Sequence, residues 1–147
     1  WGGPLSVKGV MTPEDARRAV ANGATGVMLS NHGGRQLDAA PAPVDQIAAV
    51  RDALDDGVEI ICDGGVRRGS DVVKALALGA DGCSIGRPYL YGLAAAGEAG
   101  VDRALTLMRD EFERTLMLMG VNDVAKIERR HVRPAPPPWR GESAPAS

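Results

Sequence analysis

The sequence predicts an α/β fold built on a parallel β-sheet, of the size of half a (β/α)8 barrel. Short apolar runs alternate with longer helical patterns along the chain, as in strand–helix units. The strands are apolar almost without interruption, which is typical of parallel sheets covered by helices. A doubly wound sheet shows the same alternation. The 147 residues hold four such units, whereas a complete barrel takes about 250 residues, so the length favours the half-barrel.

Four apolar runs are predicted strands, at residues 5–7, 26–29, 58–62 and 82–85. The sequence GATGVML at 23–29 returns as GADGCSI at 79–85. In both copies a helix ends at a glycine and a strand begins, which indicates a repeated unit.

Helices are predicted between and after the strands. The first begins with Thr12 as N-cap and Pro13 at its first position, and Gly23 ends it after about residue 22. The third is predicted from Ser70 as N-cap to a stop at Gly79. The other predicted helices cover residues 44–54, 90–95, 101–119, where Gly120 stops the helix, and 124–130.

Composition sets the broad class of the protein. The chain is 44% hydrophobic and carries 17 basic and 19 acidic residues, so no basic surface for nucleic acid is expected. No apolar run reaches the ~18 residues of a membrane span and no signal peptide is evident, so a cytoplasmic location is the default expectation. We expect one domain at residues 1–132 and a disordered tail rich in proline and alanine at 133–147.

The two cysteines, Cys62 and Cys83, both fall within predicted strands. A cysteine in such a run usually behaves as a small hydrophobic residue. We therefore expect neither a disulfide nor a metal site.

Two glycine-rich turns that each carry an arginine follow the last two predicted strands. The sequence DGGVRRGS occupies 63–70, and GRP occupies 86–88. Exposed backbone N–H groups, a helix N-terminus and a guanidinium together form a phosphate site. Barrels often place such a site after their last two strands. We expect Arg67 and Arg87 to contact the phosphate and Arg68 to lie outside it.

The second predicted strand is followed by SNHGGR at 30–35, which contains the only histidine of the predicted barrel. A histidine side chain exchanges a proton near neutral pH, so His32 is a candidate general base. Arg35 offers a planar fork that matches a carboxylate, and Lys8 after the first strand can place a positive charge against an electron-accepting ring. His131 lies in a basic stretch and receives no role.

Four motifs, VKGV at 7–10, SNHGGRQLD at 30–38, DGGVRRGSDVVKALALGA at 63–80 and IGRP at 85–88, resemble those of the FMN-dependent 2-hydroxy-acid dehydrogenases and oxidases. The resemblance extends over about residues 4–132. It implies the last four βα units of a TIM (β/α)8 barrel, with FMN as cofactor and a small 2-hydroxy acid as substrate. Full-length members of such a family are expected to be homo-oligomers.

The resemblance also implies a role for each matching residue. His32 removes a proton as an L-2-hydroxy acid is oxidised to a 2-oxo acid, and Arg35 binds the substrate carboxylate. Lys8 lies against the N1 and C2 carbonyl edge of the flavin. The remaining expected cofactor contacts are Ser30, Asp63, Gly64, Gly65, Val66, Arg67, Gly86 and Arg87.

The chain begins at Trp1 without an initiator methionine, and we expect it to be the C-terminal half of a longer protein. The first four strands of the family, with the aspartate that pairs with the histidine, have no counterpart here. Because the imidazolium then lacks its stabiliser, the chain by itself is expected to be inactive.

Two other hypotheses remain open. One is a different FMN- or phosphate-binding barrel, such as type 2 isopentenyl diphosphate isomerase, IMP dehydrogenase or a flavoenzyme of mycofactocin maturation. The other is a truncated, non-catalytic chain that serves as an association module.

Overall fold

The computed structural model describes residues 1–134, which form a four-stranded sheet with helices between consecutive strands. Three short 3₁₀ turns accompany these elements, at His32–Gly34, Val124–Lys126 and Arg129–His131. In chain order the strands and helices are β1 (Ser6–Val10), α1 (Pro13–Ala21), β2 (Gly26–Leu29), α2 (Pro43–Arg51), β3 (Glu59–Asp63), α3 (Gly69–Leu78), β4 (Gly82–Ser84) and α4 (Arg87–Met119).

The strands lie side by side in sequence order, and every neighbouring pair is parallel. Parallel neighbours require a crossover connection, and α1, α2 and α3 provide the three crossovers. A doubly wound sheet reverses its strand order at a switch point, and the four described strands show no reversal. The predicted parallel α/β architecture is confirmed, and the sheet is consistent with part of a barrel.

The core lies between the sheet and its crossover helices. Leu29 of β2, Ile60 of β3 and Ile47 of α2 are all fully buried and belong to one hydrophobic cluster. Burying a side chain of this size stabilises a fold by about 1.5–3 kcal/mol. Cys62 is 1% exposed in the same cluster. The apolar strand patterns thus correspond to buried positions.

The start of α1 is as predicted, and that of α3 is not. The Thr12 hydroxyl accepts a hydrogen bond from the Asp15 N–H at 3.1 Å. The prediction of Ser70 as N-cap of α3 is wrong, because the helix already begins at Gly69. The Asp71 carboxylate folds back and accepts from the N–H groups of Arg67 and Arg68, each at 3.1 Å. Asp71 therefore bonds the two N–H groups just before the helix, and Ser70 lies within its first turn.

Strand β1 runs on to Val10 instead of ending at Val7. Lys8 therefore belongs to the strand and does not follow it. Strand β3 ends at Asp63, so its carboxylate stands at the last position of that strand.

Helix α4 combines the two helices predicted after β4. It is interrupted at Ala96 and Gly97, whose backbone angles are not helical. Next to this break Gly92 lies against Gly100, so close that a Cβ on Gly92 would be 2.3 Å from the Gly100 carbonyl oxygen. The two glycines allow the halves to meet backbone to backbone.

The helix predicted over 124–130 is wrong. Two separate 3₁₀ turns occupy this stretch, because Ile127 and Glu128 between them have extended backbones. The tail predicted at 133–147 falls, beyond residue 134, outside the described residues. No helix within residues 1–134 is long and apolar enough to cross a membrane.

Candidate functional site

The carboxyl ends of β1, β2 and β3 are joined by a cluster of three polar side chains. The Lys8 ammonium forms a salt bridge with the Asp63 carboxylate and lies 3.4 Å from the Ser30 hydroxyl oxygen. The Ser30 hydroxyl donates to the same Asp63 oxygen at 2.6 Å. Residues far apart in sequence thus meet because parallel strands end at one edge of the sheet.

Ser30 is the centre of this cluster. It is the only buried polar or charged residue described, at 1% exposure. Its oxygen also accepts a hydrogen bond from the His32 N–H at 3.2 Å. Burial raises the pKa of Asp63, but the hydrogen bonds from Lys8 and Ser30 outweigh it and bring the pKa below its ordinary 3.8. Asp63 is therefore a carboxylate at neutral pH, and its charge is held by fixed donors.

His32 lies in a strained turn directly after β2. Its φ is 54°, in the left-handed region, which costs a non-glycine residue of the order of 1–3 kcal/mol. The turn is closed by the Asn31 side chain, whose oxygen accepts from the Gly33 N–H at 3.0 Å. Arg35 follows as the cap of the same turn. A strained backbone conformation persists where its surroundings hold it in place. Here the hydrogen bonds of Ser30 and Asn31 hold the turn.

A cleft of about 330 Å³ opens above the carboxyl ends of β2, β3 and β4. The cleft brings together most of the residues predicted for the site. Lys8 and Ser30 do not line the cleft. They bind the carboxylate of Asp63, which does. Its lining residues are His32, Gly33, Arg35, Asp63, Gly64, Gly65, Val66, Arg67, Ser84, Gly86, Arg87, Pro88 and Leu90.

The glycine-rich loop after β3 has the character of an anion site. Gly64 and Gly65 have φ values of 120° and 79°, and a Cβ on Gly65 would meet no atom within 4 Å. The backbone of Gly65 is therefore open to a ligand. Gly86 is the N-cap of α4 and has no side chain to accept a hydrogen bond, so first-turn N–H groups of that helix are open to another acceptor. Arg87 is the first residue of the helix. The donor set of these loops suits a phosphate dianion.

Arg68 is engaged elsewhere. Its guanidinium binds Glu111 of α4 at 2.7 Å, and the same carboxylate accepts from the Gly69 N–H at 3.0 Å. These two bonds hold the pKa of Glu111 below its ordinary value of 4.5. Arg68 is thereby turned toward α4, whereas Arg67 lines the cleft.

Three residues of this region did not follow from the sequence. Glu111 binds Arg68 and Gly69, which lie 43 and 42 positions earlier in the chain. The sequence gives no signal of these contacts. Ser84 lines the cleft from the end of β4, which its position at a strand terminus could have indicated. Gly9 lies inside β1, and an isolated glycine in a strand is a known sign of a bulge or a close approach.

A parallel sheet whose carboxyl edge carries a histidine, an arginine and two glycine–arginine loops is typical of α/β enzymes that bind a phosphorylated cofactor. The profile of the FMN-dependent dehydrogenase family matches residues 1–134. The chain belongs to this family.

Individual relatives agree with the family match. The chain is 54% identical to glycolate oxidase 1 of Zea mays over 129 residues, which are 88% of this chain and 35% of the relative. It is 51% identical to glycolate oxidase of Spinacia oleracea over 96% of this chain and 37% of the relative. The chain thus spans about a third of the length of these curated relatives.

Solved structures agree as well. The fold superimposes on (S)-mandelate dehydrogenase, a monotopic membrane protein, with a TM-score of 0.86 and 48% identity over 90% of this chain and 35% of the other. A mandelate oxidase that carries a monooxide FMN adduct superimposes with a TM-score of 0.83 and 43% identity, over 88% of this chain and 41% of the other. These neighbours are FMN-dependent enzymes with TIM-barrel folds, and FMN is the cofactor of the family.

Proposed function

We propose that residues 1–132 form the last four βα units of a (β/α)8 barrel that oxidises an L-2-hydroxy acid to a 2-oxo acid with FMN. The observation that carries the proposal is the single cleft shared by His32, Arg35 and the two glycine–arginine loops. A base, a carboxylate-binding fork and a phosphate site are the parts that such a reaction needs. The family match over residues 1–134 supports the same assignment.

The cofactor phosphate would be held by the part of this cleft that the loops after β3 and β4 form. Arg67 and Arg87 contribute charge-assisted hydrogen bonds to the phosphate, and the backbone around Gly65 and Gly86 contributes N–H donors. Asp63, Gly64 and Val66 line the cleft beside these groups and would contact the part of the cofactor next to the phosphate. FMN, when bound, accepts the two electrons that leave the alcohol carbon.

The Lys8, Ser30 and Asp63 cluster borders the same cofactor. The Lys8 ammonium would provide a fixed positive charge beside an electron-accepting ring, which gains negative charge on reduction. The bonds from Lys8 and Ser30 to Asp63 keep this charge from moving away.

The substrate would lie between His32 and Arg35. The Arg35 fork binds the carboxylate, because a planar guanidinium matches its two oxygens. His32 takes a proton from the 2-hydroxy acid, and its strained turn holds the imidazole at the cleft. Both side chains come from one short loop, so a single substrate can contact them together.

The test uses a hybrid in which this chain replaces the matching segment of Spinacia oleracea glycolate oxidase. We expect the hybrid to bind FMN, and the flavin absorbance to be bleached without oxygen by at least one of glycolate, L-lactate and (S)-mandelate. Arg35→Lys keeps the charge but loses the fork, so substrate affinity falls while flavin content stays normal.

The cofactor half of the proposal is tested by three arginine variants. Arg67→Ala and Arg87→Ala remove a phosphate partner, so each lowers FMN affinity. Arg68→Ala is the matched control, because the Arg68 guanidinium is bound to Glu111, and it leaves FMN affinity unchanged. A hybrid that binds FMN but is bleached by none of the acids would point to another barrel chemistry.

A further inference from the structure

Gly9 forms a bulge in β1 at the edge of the candidate site. Lys8 pairs with Met28 and Val10 pairs with Leu29, so Gly9 is an extra residue between two successive partners in β2. Its φ is +95°, a conformation that side chains of L-residues rarely adopt. Bulges occur next to active sites, where they redirect neighbouring side chains.

The imidazole of His32 fills the space where a side chain of residue 9 would be. A Cβ built on Gly9 would lie 2.8 Å from the His32 Cε1 atom, and 3.7 Å from each ring nitrogen. All three nearest atoms belong to this one ring. The imidazole therefore lies over the Gly9 backbone and is the group that a side chain at residue 9 would meet first.

The backbone of His32 cannot easily move to relieve a clash. Its N–H is bonded to the buried Ser30 oxygen at 3.2 Å, and the Gly34 N–H closes the turn on the Asn31 carbonyl oxygen at 3.0 Å. The hydrogen bonds of the turn fix the His32 backbone, and the Gly9 backbone restricts where its imidazole can lie.

We propose that Gly9 is a positioning residue for His32. Because Gly9 has no side chain, the His32 imidazole can lie over the β1 bulge beside Lys8. The inference rests on the proposed function of His32 as general base. Two carbon atoms pack at about 3.5 Å or more, so a methyl group on residue 9 displaces the ring by about 0.7 Å. A displacement near 1 Å can cost ~10²-fold in rate.

The test compares Gly9→Ala with Gly23→Ala. Gly23 has a φ of +94°, and a Cβ there would meet no atom within 4 Å. Both variants therefore place an alanine at nearly the same positive φ, and only Gly9→Ala adds a contact with His32. In the hybrid, Gly9→Ala lowers kcat by about 10- to 100-fold with flavin content and KM nearly unchanged, and Gly23→Ala retains the parent kcat.

A second readout does not depend on activity. The chain has two histidines, so in the chain with ¹³C-labelled histidine the Cε1 resonance of His32 is assigned by its loss in His32→Gln. Gly9→Ala shifts this resonance, whereas Gly23→Ala does not, and His131 serves as the internal reference. An unshifted His32 resonance in folded Gly9→Ala would overturn the proposal.

A double-mutant cycle covers the case in which Gly9→Ala unfolds. Removing the ring with His32→Ala relieves the clash, so Gly9→Ala lowers the urea midpoint less in that background. Equal losses in both backgrounds would overturn the proposal, because backbone strain alone would then explain them. If the resonance and the cycle show the contact but His32→Gln retains its rate, the proposed function fails and the contact between Gly9 and His32 stands.

Discussion

Replacing Ser30 by alanine tests whether the polar cluster holds the site together. The substitution removes the hydroxyl that donates to the Asp63 carboxylate at 2.6 Å and the acceptor of the His32 N–H at 3.2 Å. A hydrogen bond to a charged group contributes about 1.5–3 kcal/mol, and an ordinary hydrogen bond such as that of the His32 N–H contributes about 0.5–1.5 kcal/mol. Asp63 is 21% exposed and partly hydrated, so we expect a loss of about 2–4 kcal/mol at neutral pH.

The loss has a defined pH dependence. The Asp63 pKa is depressed in the folded state, so the stability it contributes is present above the ordinary value of 3.8 and disappears as pH falls through the folded pKa. The contribution of Ser30 through Asp63 follows the same course. Ser30→Ala is therefore most costly at neutral pH and less costly at acid pH, below the folded-state pKa of Asp63.

Urea unfolding followed by circular dichroism, at neutral pH and at acid pH below the folded-state pKa of Asp63, measures the stability loss and its pH dependence. Ser6→Ala is the matched control, since Ser6 is an exposed residue of β1, and such changes usually alter stability by less than about 0.5 kcal/mol. The reasoning is refuted if Ser30→Ala costs no more than Ser6→Ala, or costs the same at both pH values.

The remaining predictions concern packing and thiol reactivity. A Cβ on Gly69 would lie 2.1 Å from a backbone nitrogen of α4, so Gly69→Ala separates two helices and lowers the free energy of unfolding by about 3 kcal/mol or more. Gly57→Ala, with no atom within 4 Å, leaves the urea midpoint nearly unchanged, and equal midpoints for the two variants would contradict the close contact. Burial raises the pKa of Cys62 to about 11 and that of Cys83 to about 12, so both thiols react slowly with Ellman's reagent near pH 8 and fast in urea. Fast labelling of the folded chain would show that these cysteines are accessible thiolates.

The elements that could be predicted from sequence are those set by local signals. Thr12 before Pro13 fixes the start of α1, and Gly23 and Gly79 end their helices with φ values of 94° and 108°. Apolar runs gave the strands to within a few residues. The shared cleft followed from one rule, that parallel strands present their carboxyl ends at one edge.

Contacts between distant residues could not be predicted. Ser70 does not cap α3, because the N–H groups around the start of the helix are bonded to Asp71 and Glu111, and the close approach at Gly69 fixes the backbone there. The contact of His32 with Gly9 depends on a bulge whose register only the paired strands reveal. In each case the decisive partner lies in another element, so the local sequence does not identify it.

The general-base role of His32 is the centre of this account, and flavin reduction measures it directly. The hybrid and its His32→Gln variant are mixed with glycolate or another bleaching acid without oxygen, and the flavin absorbance is followed in a single turnover. The account predicts that His32→Gln lowers the reduction rate by ~10²- to 10⁴-fold while FMN content and substrate affinity stay nearly unchanged. A near-normal rate in His32→Gln would contradict it, since His32 would then be a structural residue of the turn.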